Sequence, residues 1–239
     1  NPGSAGAPVY HLELTPPGGV LPDWQSGDLV QVAAPAEPSR PREYSIASIP
    51  ADGGVHLLVR LHSHDDGSHG VASGWLTRQA EPGQTVRLRL RQHRRFRLED
   101  NASRPLILIG NGSGIAGLRG HLRARALAGQ GRNWLLFGER QRAHDLHYGD
   151  ELAAWQGQGL LERLDLAFSR DGAARGYVQD LLAPAADALR AWMADGAALY
   201  VCGSLDGMAA GVHAALIEML GSARVEALLE SGRYRRDVY

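Results

Sequence analysis

The stretch "LILIGNGSGIAG", residues 106–117, decides how the second half of this chain folds. Its first four residues are apolar without alternation, which is typical of a parallel strand buried on both faces. Glycines then follow with the spacing G-x-G-x-x-G and open a helical stretch. Glycine lets a backbone approach a phosphate closely, and a helix N-terminus offers free N–H groups. The stretch predicts a nucleotide-phosphate site; a tight strand-to-helix turn without a ligand is the alternative.

The alternation of strand and helix continues to the C-terminus. "NWLLFG", "RLDLAFS" and "ALYVCGS" are strand candidates, each followed by a helical stretch. Earlier in the chain, short alternating stretches are separated by Pro and Gly turns, namely "VYHLEL", "DLVQVA", "REYSIAS", "GVHLLVRL" and "TVRLRLR". Such short strands favour a closed antiparallel barrel. We therefore predict a β plus α/β fold, with an antiparallel β-barrel domain at 1–103 and a doubly wound parallel-sheet domain at 104–239.

Composition excludes several classes of function. The 239 residues are 44% hydrophobic and 21% charged with a net charge of −1, which argues against nucleic-acid or anionic-membrane partners. One cysteine, Cys202, excludes an internal disulfide and indicates a reducing, cytoplasmic location. No apolar run approaches the roughly 20 residues of a transmembrane helix. The start at Asn1, without Met, suggests a fragment or a processed chain, so an anchor or a domain upstream stays open.

Two further stretches offer ligand chemistry. Ser169, Arg170 and Arg175 follow the end of the strand "RLDLAFS", and open α/β sheets bind ligands at the carboxyl ends of their strands. A hydroxyl and two guanidiniums suit a 2′-phosphate, and a solvated polar loop is the alternative. "GVASGWL" places Gly70 and small residues at a helix start, which predicts a second diphosphate seat.

The histidine-rich stretch "HLLVRLHSHDDGSHG" suggests a metal at first sight. His62 and His64 share a strand face, and Asp65 and Asp66 follow. The stretch is also rich in Gly and Asp, which is typical of a mobile surface loop, and no fourth soft ligand stands nearby. We therefore expect no resident metal, and the role of residues 56–69 stays open.

Eight motifs occur in a characteristic order: "REYS", "GVAS", "GNGSGIAG", "FGER", "SRD", "YVQ", "YVCGS" and "RYRRDVY". Together they resemble the ferredoxin-NADP reductase superfamily, within it most closely the FAD- and NADPH-binding part of sulfite reductase flavoprotein subunits and cytochrome P450 reductases. The likeness covers about residues 27–239. It implies a barrel that binds FAD and a second domain that binds NADPH, with flavin and nicotinamide meeting at their interface.

The resemblance also implies roles in the barrel. Arg42 holds the FAD diphosphate, Tyr44 stacks on the isoalloxazine, and Ser45 bonds near flavin N5. The rest of the diphosphate site is formed by Gly70, Val71, Ala72 and Ser73.

In the second domain the resemblance places the NADPH diphosphate at Gly112, Ser113 and Gly114, with Arg140 as a further cofactor-binding residue. The adenosine 2′-phosphate is read by Ser169, Arg170, Arg175, Tyr177 and Gln179. In addition to Ser45, the resemblance implies three catalytic positions: the thiol of Cys202 near the nicotinamide, the acidic Asp237, and Tyr239 over the flavin face. An alternative for the terminus is that "DVY" is an edge strand and Tyr239 only packs on the barrel.

The implied activity is hydride transfer from NADPH to FAD, followed by single-electron transfer to an acceptor protein or domain, such as an FMN-binding flavodoxin domain upstream. Two rivals remain. One is a stand-alone flavin or ferric reductase, and the other is a nucleotide-sensing module without turnover. Two features depart from the diflavin members: the five residues 36–40 replace a large helical insertion, and no flavodoxin domain is present in these 239 residues.

Overall fold

A computed structural model describes residues 1–20, 22–172 and 176–239. The first part of the chain forms antiparallel strands in two ladders. β1 pairs with β4, and β2 lies between β3 and β5. The strands are β1 (Val9–Leu14), β2 (Leu29–Val32), β3 (Arg42–Ser45), β4 (Val55–Arg60) and β5 (Leu88–Arg91).

Both ladders enclose one apolar core. The chain after β3 joins them, because the Ala47 N–H donates to the His56 carbonyl at 2.8 Å and the Ile46 N–H to the Asp28 carbonyl at 3.3 Å. Helix α1 (Val71–Gly74), which continues as a wider turn over Trp75–Gln79, covers one side of the core. The core contains Trp24, Val30, Val32, Ile46, Leu57, Val59, Trp75 and Leu76.

The second part is a five-stranded parallel sheet in the order β10-β9-β6-β7-β8. The strands are β6 (Leu106–Asn111), β7 (Asn133–Glu139), β8 (Leu161–Phe168), β9 (Ala198–Gly203) and β10 (Tyr234–Val238). The helices are α2 (Ile115–Leu127), α3 (Arg142–Asp145), α4 (Gly149–Gly157), α5 (Ala186–Ala194), α6 (Ala210–Leu220) and α7 (Ser222–Glu230). None of these described helices combines the length and apolar character that crossing a membrane requires.

The sheet is buried on both faces, as the continuous apolar run of β6 predicts. Leu106 and Leu108 pack into the core that contains residues of α2 and α4. Ile107 and Ile109 point the other way, into the core that contains residues of α5, α6 and α7. Alternate side chains of one strand therefore serve two cores, because successive residues of a strand face opposite sides. The predicted fold class is confirmed.

The strand order reverses between β6 and β9, where the chain changes the direction in which it adds strands. In open α/β sheets the crevice at such a point, outside the carboxyl ends of the strands, is where ligands bind. Asn111 ends β6 and Gly203 ends β9, so both strand ends open on this crevice. The topology thus selects one edge of the sheet for the site.

Buried polar contacts join the barrel to the sheet. The Tyr200 hydroxyl on β9 donates to the Arg97 carbonyl at 3.0 Å and accepts from the Asn101 Nδ2 at 3.0 Å. The His121 Nδ1 on α2 lies 3.0 Å from the Ser26 Oγ. Burial lowers the pKa of His121 to about 3, so this imidazole is neutral. The contacts fix the barrel against β9 and α2 of the second part of the chain.

Candidate active site at the domain junction

The turn after β6 lies against the end of β9. Gly112 has a φ of +57°, a left-handed conformation that favours glycine. A Cβ on Gly114 would sit 2.2 Å from the Cys202 carbonyl oxygen, so only glycine allows this approach. Asn111 ties the same two strand ends, because its Oδ1 accepts from the Ser204 N–H at 3.0 Å. The turn is held rigidly at the head of α2.

Three predicted catalytic residues meet beside this turn. The Ser45 hydroxyl at the end of β3 donates to the Asp237 Oδ2 at 2.9 Å. The Cys202 Sγ lies 3.8 Å from the same oxygen. Ser45 and Asp237 are 192 positions apart in sequence, and the docking of barrel and sheet brings them together. A serine, a thiol and a carboxylate thus form one cluster at the domain junction.

The cluster holds its thiol protonated. Burial, followed by the charge of Asp237, raises the pKa of Cys202 well above its usual value. Cys202 is completely buried and does not line the cavity, so it lies behind Ser45 and Asp237. A buried, protonated thiol is a poor nucleophile. From this position the thiol can pack beside a reacting group and influence the polarity there. Gly117 leaves room for it, since a Cβ on Gly117 would lie 3.3 Å from the Cys202 sulfur.

The C-terminal residue extends the sheet and still presents its ring to the cavity. The Tyr239 N–H donates to the Gly203 carbonyl at 3.1 Å, and its carbonyl accepts from the Leu205 N–H at 2.9 Å. The side chain is 61% exposed, and its hydroxyl lies 3.1 Å from the Ser113 Oγ. Asp237 and Val238 therefore belong to an edge strand, as the alternative interpretation of the terminus predicted. The Tyr239 ring nevertheless faces the turn after β6. Backbone pairing with Gly203 and Leu205 orders the terminus.

The barrel forms one wall of a cavity of about 1770 Å³. Tyr44 is partly buried against the barrel core, and burial raises the pKa of its hydroxyl to about 12, so it is neutral. The Ser73 hydroxyl accepts from the His62 N–H at 3.1 Å, which fixes the turn before α1. The predicted barrel residues that line the cavity are Arg42, Tyr44, Ser45, Gly70, Val71, Ala72 and Ser73.

The sheet forms the facing wall. Its predicted lining residues are Gly112, Ser113, Arg140, Ser169, Tyr177, Gln179, Asp237 and Tyr239. Gly114 is buried beneath the turn and does not line the cavity. Arg170 also lies outside the lining, exposed at the end of β8, and its N–H donates to the Arg140 carbonyl at 2.8 Å. Arg175 lies outside the described residues.

The cavity fits a flat, charged ligand. Tyr177 and Tyr239 line it with their side chains 62% and 61% exposed, and exposed aromatic rings in a cavity are stacking surfaces. The turn at Gly112–Gly114 opens the 13-residue helix α2, which suits an anion. The residues present thus offer both ring-stacking and phosphate-binding groups, which a dinucleotide requires.

An ion pair between the two domains was missed by the sequence reasoning. Arg60 at the end of β4 pairs with Glu139 at the end of β7, and both line the cavity. Burial alone would raise the pKa of Glu139, but His147 and Arg60 outweigh it and hold the pKa at about 2. In the sequence, only the position of Glu139 after a strand candidate gives a signal, because an acid at such a position can bind the ribose of a dinucleotide. No pattern marks Arg60.

Comparison with known proteins agrees with this geometry. Residues 108–214 match the family model of the oxidoreductase NAD-binding domain. This match and the relatives named below confirm the resemblance to the ferredoxin-NADP reductase superfamily seen in the motifs.

Three of the relatives are sulfite reductase flavoprotein components from different bacteria. The chain is 37% identical over 225 residues to the sulfite reductase [NADPH] flavoprotein alpha-component of Neisseria meningitidis, which covers 87% of this chain and 37% of that protein. The same component of Mannheimia succiniciproducens is 38% identical over 225 residues, covering 87% of this chain and 38% of the relative. That of Vibrio cholerae is 39% identical over 215 residues, covering 83% and 35%. The chain thus spans little more than a third of the length of these relatives.

Replacing Arg60 by Met should destabilise the protein in a pH-dependent way. The change leaves a buried carboxylate without its main partner, which we expect to lower the free energy of unfolding by about 2 kcal/mol at pH 7. Glu139 has a depressed pKa in the folded state, so its contribution is present above the unfolded pKa and is lost as the pH falls through the folded pKa. The deficit should therefore shrink between about pH 4.5 and pH 3.

Urea unfolding at pH 7 and pH 3 measures both values. Arg91→Met is the matched control, because it removes an exposed barrel ion pair with Glu43 and should cost less than about 1 kcal/mol. A deficit of Arg60→Met that is the same at both pH values contradicts the assignment.

Proposed function

We propose that this chain is the FAD- and NADPH-binding part of a flavoprotein reductase. The observation that carries the proposal is the Ser45–Asp237–Cys202 cluster, which stands where the barrel wall and the nucleotide-domain wall of the cavity meet. The names of the relatives support it, because they are flavoprotein components that use NADPH. We take residues 1–103 as the FAD domain and 104–239 as the NADPH domain.

The bound cofactors would supply hydride transfer from nicotinamide to flavin, followed by release of single electrons. The chain's own contribution is orientation and polarity. The Ser45 hydroxyl donates a hydrogen bond to Asp237. The Asp237 carboxylate can stabilise positive charge that develops beside it. The His93 Nδ1, 3.8 Å from the Asp237 Oδ1, lies on the other side of the carboxylate. The cluster therefore acts through its fixed polar groups, and Cys202 forms no covalent bond with the reacting groups.

Binding is divided between the two walls. We assign the FAD to Arg42, Tyr44 and the turn at residues 70–73, and the NADPH diphosphate to Gly112–Gly114 with Arg140. We assign the 2′-phosphate to Ser169, Arg170, Tyr177 and Gln179, together with Arg175, which lies outside the described residues. In support, the Arg170 guanidinium makes no ion pair or hydrogen bond with the described residues, so it is available to a phosphate.

The electron acceptor is a separate proposal. The relatives are more than twice as long as this chain, and an FMN-binding flavodoxin-type domain is our candidate for the acceptor. The lone cysteine supports a reducing compartment such as the cytoplasm. A stand-alone flavin reductase would instead pass electrons to free small acceptors.

The absorption spectrum tests the proposed function directly. Protein reconstituted with FAD and freed of excess flavin should be yellow, with one flavin per chain, and NADPH should bleach it under anaerobic conditions. Failure to retain FAD, or a flavin that NADPH does not reduce, contradicts the proposal. A flavin that is bound but never reduced would favour the sensing module.

Arg170→Ala should weaken NADPH and spare NADH. A charge-assisted contact contributes roughly 1.5 to 3 kcal/mol, so the apparent affinity for NADPH should fall about tenfold or more. NADH lacks the phosphate and should change little. Stopped-flow flavin reduction at varied nucleotide concentration measures both, with Arg190→Ala as control because Arg190 lies on α5 paired to Asp187. Equal losses for the two nucleotides would refute the assignment.

Tyr239→Ala should change the choice of nucleotide. The ring occupies the cavity beside Ser113, where it competes with a stacking nicotinamide, so its removal should tighten nicotinamide binding. The activity ratio of NADH to NADPH should rise, because NADH depends more on its nicotinamide end. Turnover with NADPH should slow if product release becomes limiting.

Tyr239→Phe is the matched control, since it keeps the ring and loses only the hydroxyl contact with Ser113. It should retain the original nucleotide preference. If Tyr239→Ala also keeps that preference and the original rate of flavin reduction, the ring is packing alone.

A further inference from the structure

Away from the cavity, three donor side chains converge on one face of the β1–β4 ladder. Glu13 on β1 stands opposite His56 on β4, and His11 is two residues before Glu13, on the same face. One donor atom from each of the three lies within 4.8 Å of the others, and the His11 Nε2 is 3.1 Å from the Glu13 Oε1. Among the described residues this is the one such group of three metal-ligating side chains.

The two imidazoles are prepared to bind a cation. The Nδ1 of His56 is buried and has no hydrogen-bond partner among the described residues. The Nδ1 of His11 is already engaged, 3.0 Å from the Tyr148 hydroxyl, so its Nε2 is directed towards Glu13. A hydrogen bond on the other ring nitrogen is how metal-ligating histidines are usually oriented.

We propose that His11, Glu13 and His56 form a binding site for a divalent transition-metal ion of the zinc type. Two imidazole nitrogens and one carboxylate oxygen are a ligand set that Zn²⁺ takes, with a fourth position for water. Tetrahedral ligands about 2.1 Å from zinc lie about 3.4 Å apart, so the group needs only a small side-chain adjustment. From the sequence we expected no resident metal, because the histidines of residues 56–69 were considered without His11 and Glu13, which only the pairing of β1 with β4 brings beside His56.

The site stands at the seam between the two domains. Its ligands come from the barrel, whereas Tyr148 precedes α4 of the sheet domain. The Arg119 guanidinium lies 4.6 Å from the centre of the Tyr148 ring, and its charge is offset by the ion pair with Glu151 on α4. None of the three ligands lines the nucleotide cavity. A metal here would therefore tie the barrel to the sheet domain through Tyr148 without competing with the cofactors.

Calorimetric titration of the full chain with Zn²⁺, repeated with Co²⁺ followed by visible absorption, tests the proposal. We expect one ion per chain and the intense Co²⁺ bands of a four-coordinate site. Glu13→Gln and His56→Gln should each weaken Zn²⁺ at least tenfold, and Glu13 is exposed enough for its variant to fold. Tyr148→Phe should weaken Zn²⁺ about ten- to a hundredfold while keeping all three ligands.

His64→Ala is the control, because His62 and His64 form the other close histidine pair, with ring centres 4.6 Å apart on an exposed loop. It should leave the affinity unchanged. The proposal is overturned if the original chain binds no Zn²⁺ at millimolar concentration, if Glu13→Gln binds as tightly as the original, or if His64→Ala abolishes binding. Circular dichroism of each variant verifies that a loss of affinity reflects the ligand and not the fold.

Discussion

The contact between the turn after β6 and the end of β9 is the constraint on which the rest of the site depends. Gly114 lies so close to the Cys202 carbonyl that no side chain fits between them. This contact sets the start of α2, and it places Cys202 directly behind the cavity. Since β10 pairs in register with β9, with Asp237 opposite Cys202, the same constraint also positions the last residues of the chain.

The two domains contribute to the site in different ways. The sheet supplies rigid backbone, because its strands are buried on both faces and their carboxyl ends cannot move independently. The barrel supplies the hydroxyl of Ser45 and the guanidinium of Arg60, and both are bound by carboxylates of the sheet domain. Polar contacts therefore join the domains at the reacting cluster itself. A shift of the barrel would separate Ser45 from Asp237 and open the Arg60–Glu139 pair together.

The arrangement of the C-terminus explains how one residue can be ordered and still displaceable. The backbone of Tyr239 is held by two hydrogen bonds to the strand ends, whereas its ring is held by one hydroxyl contact with Ser113. Rotation of the side chain leaves the backbone pairing intact. A ring that covers a binding surface can thus move aside while the edge strand stays paired. The free energy cost of this movement is small compared with that of ordering a free terminus.

The sequence by itself determined the fold class and the order of the strands and most helices, and most of the site residues that it singled out line the cavity. It did so because the apolar periodicity and the glycines act locally, within one element and its turn. The helices at Arg142–Asp145 and Ser222–Glu230 were not predicted; the first has only four residues, and Gly221 alone separates the second from α6. Only the tertiary structure decided that Cys202 is buried, that Arg60 meets Glu139, and that His11, Glu13 and His56 converge. Each of these depends on strand register and on domain docking between residues far apart in the chain, which local patterns do not encode.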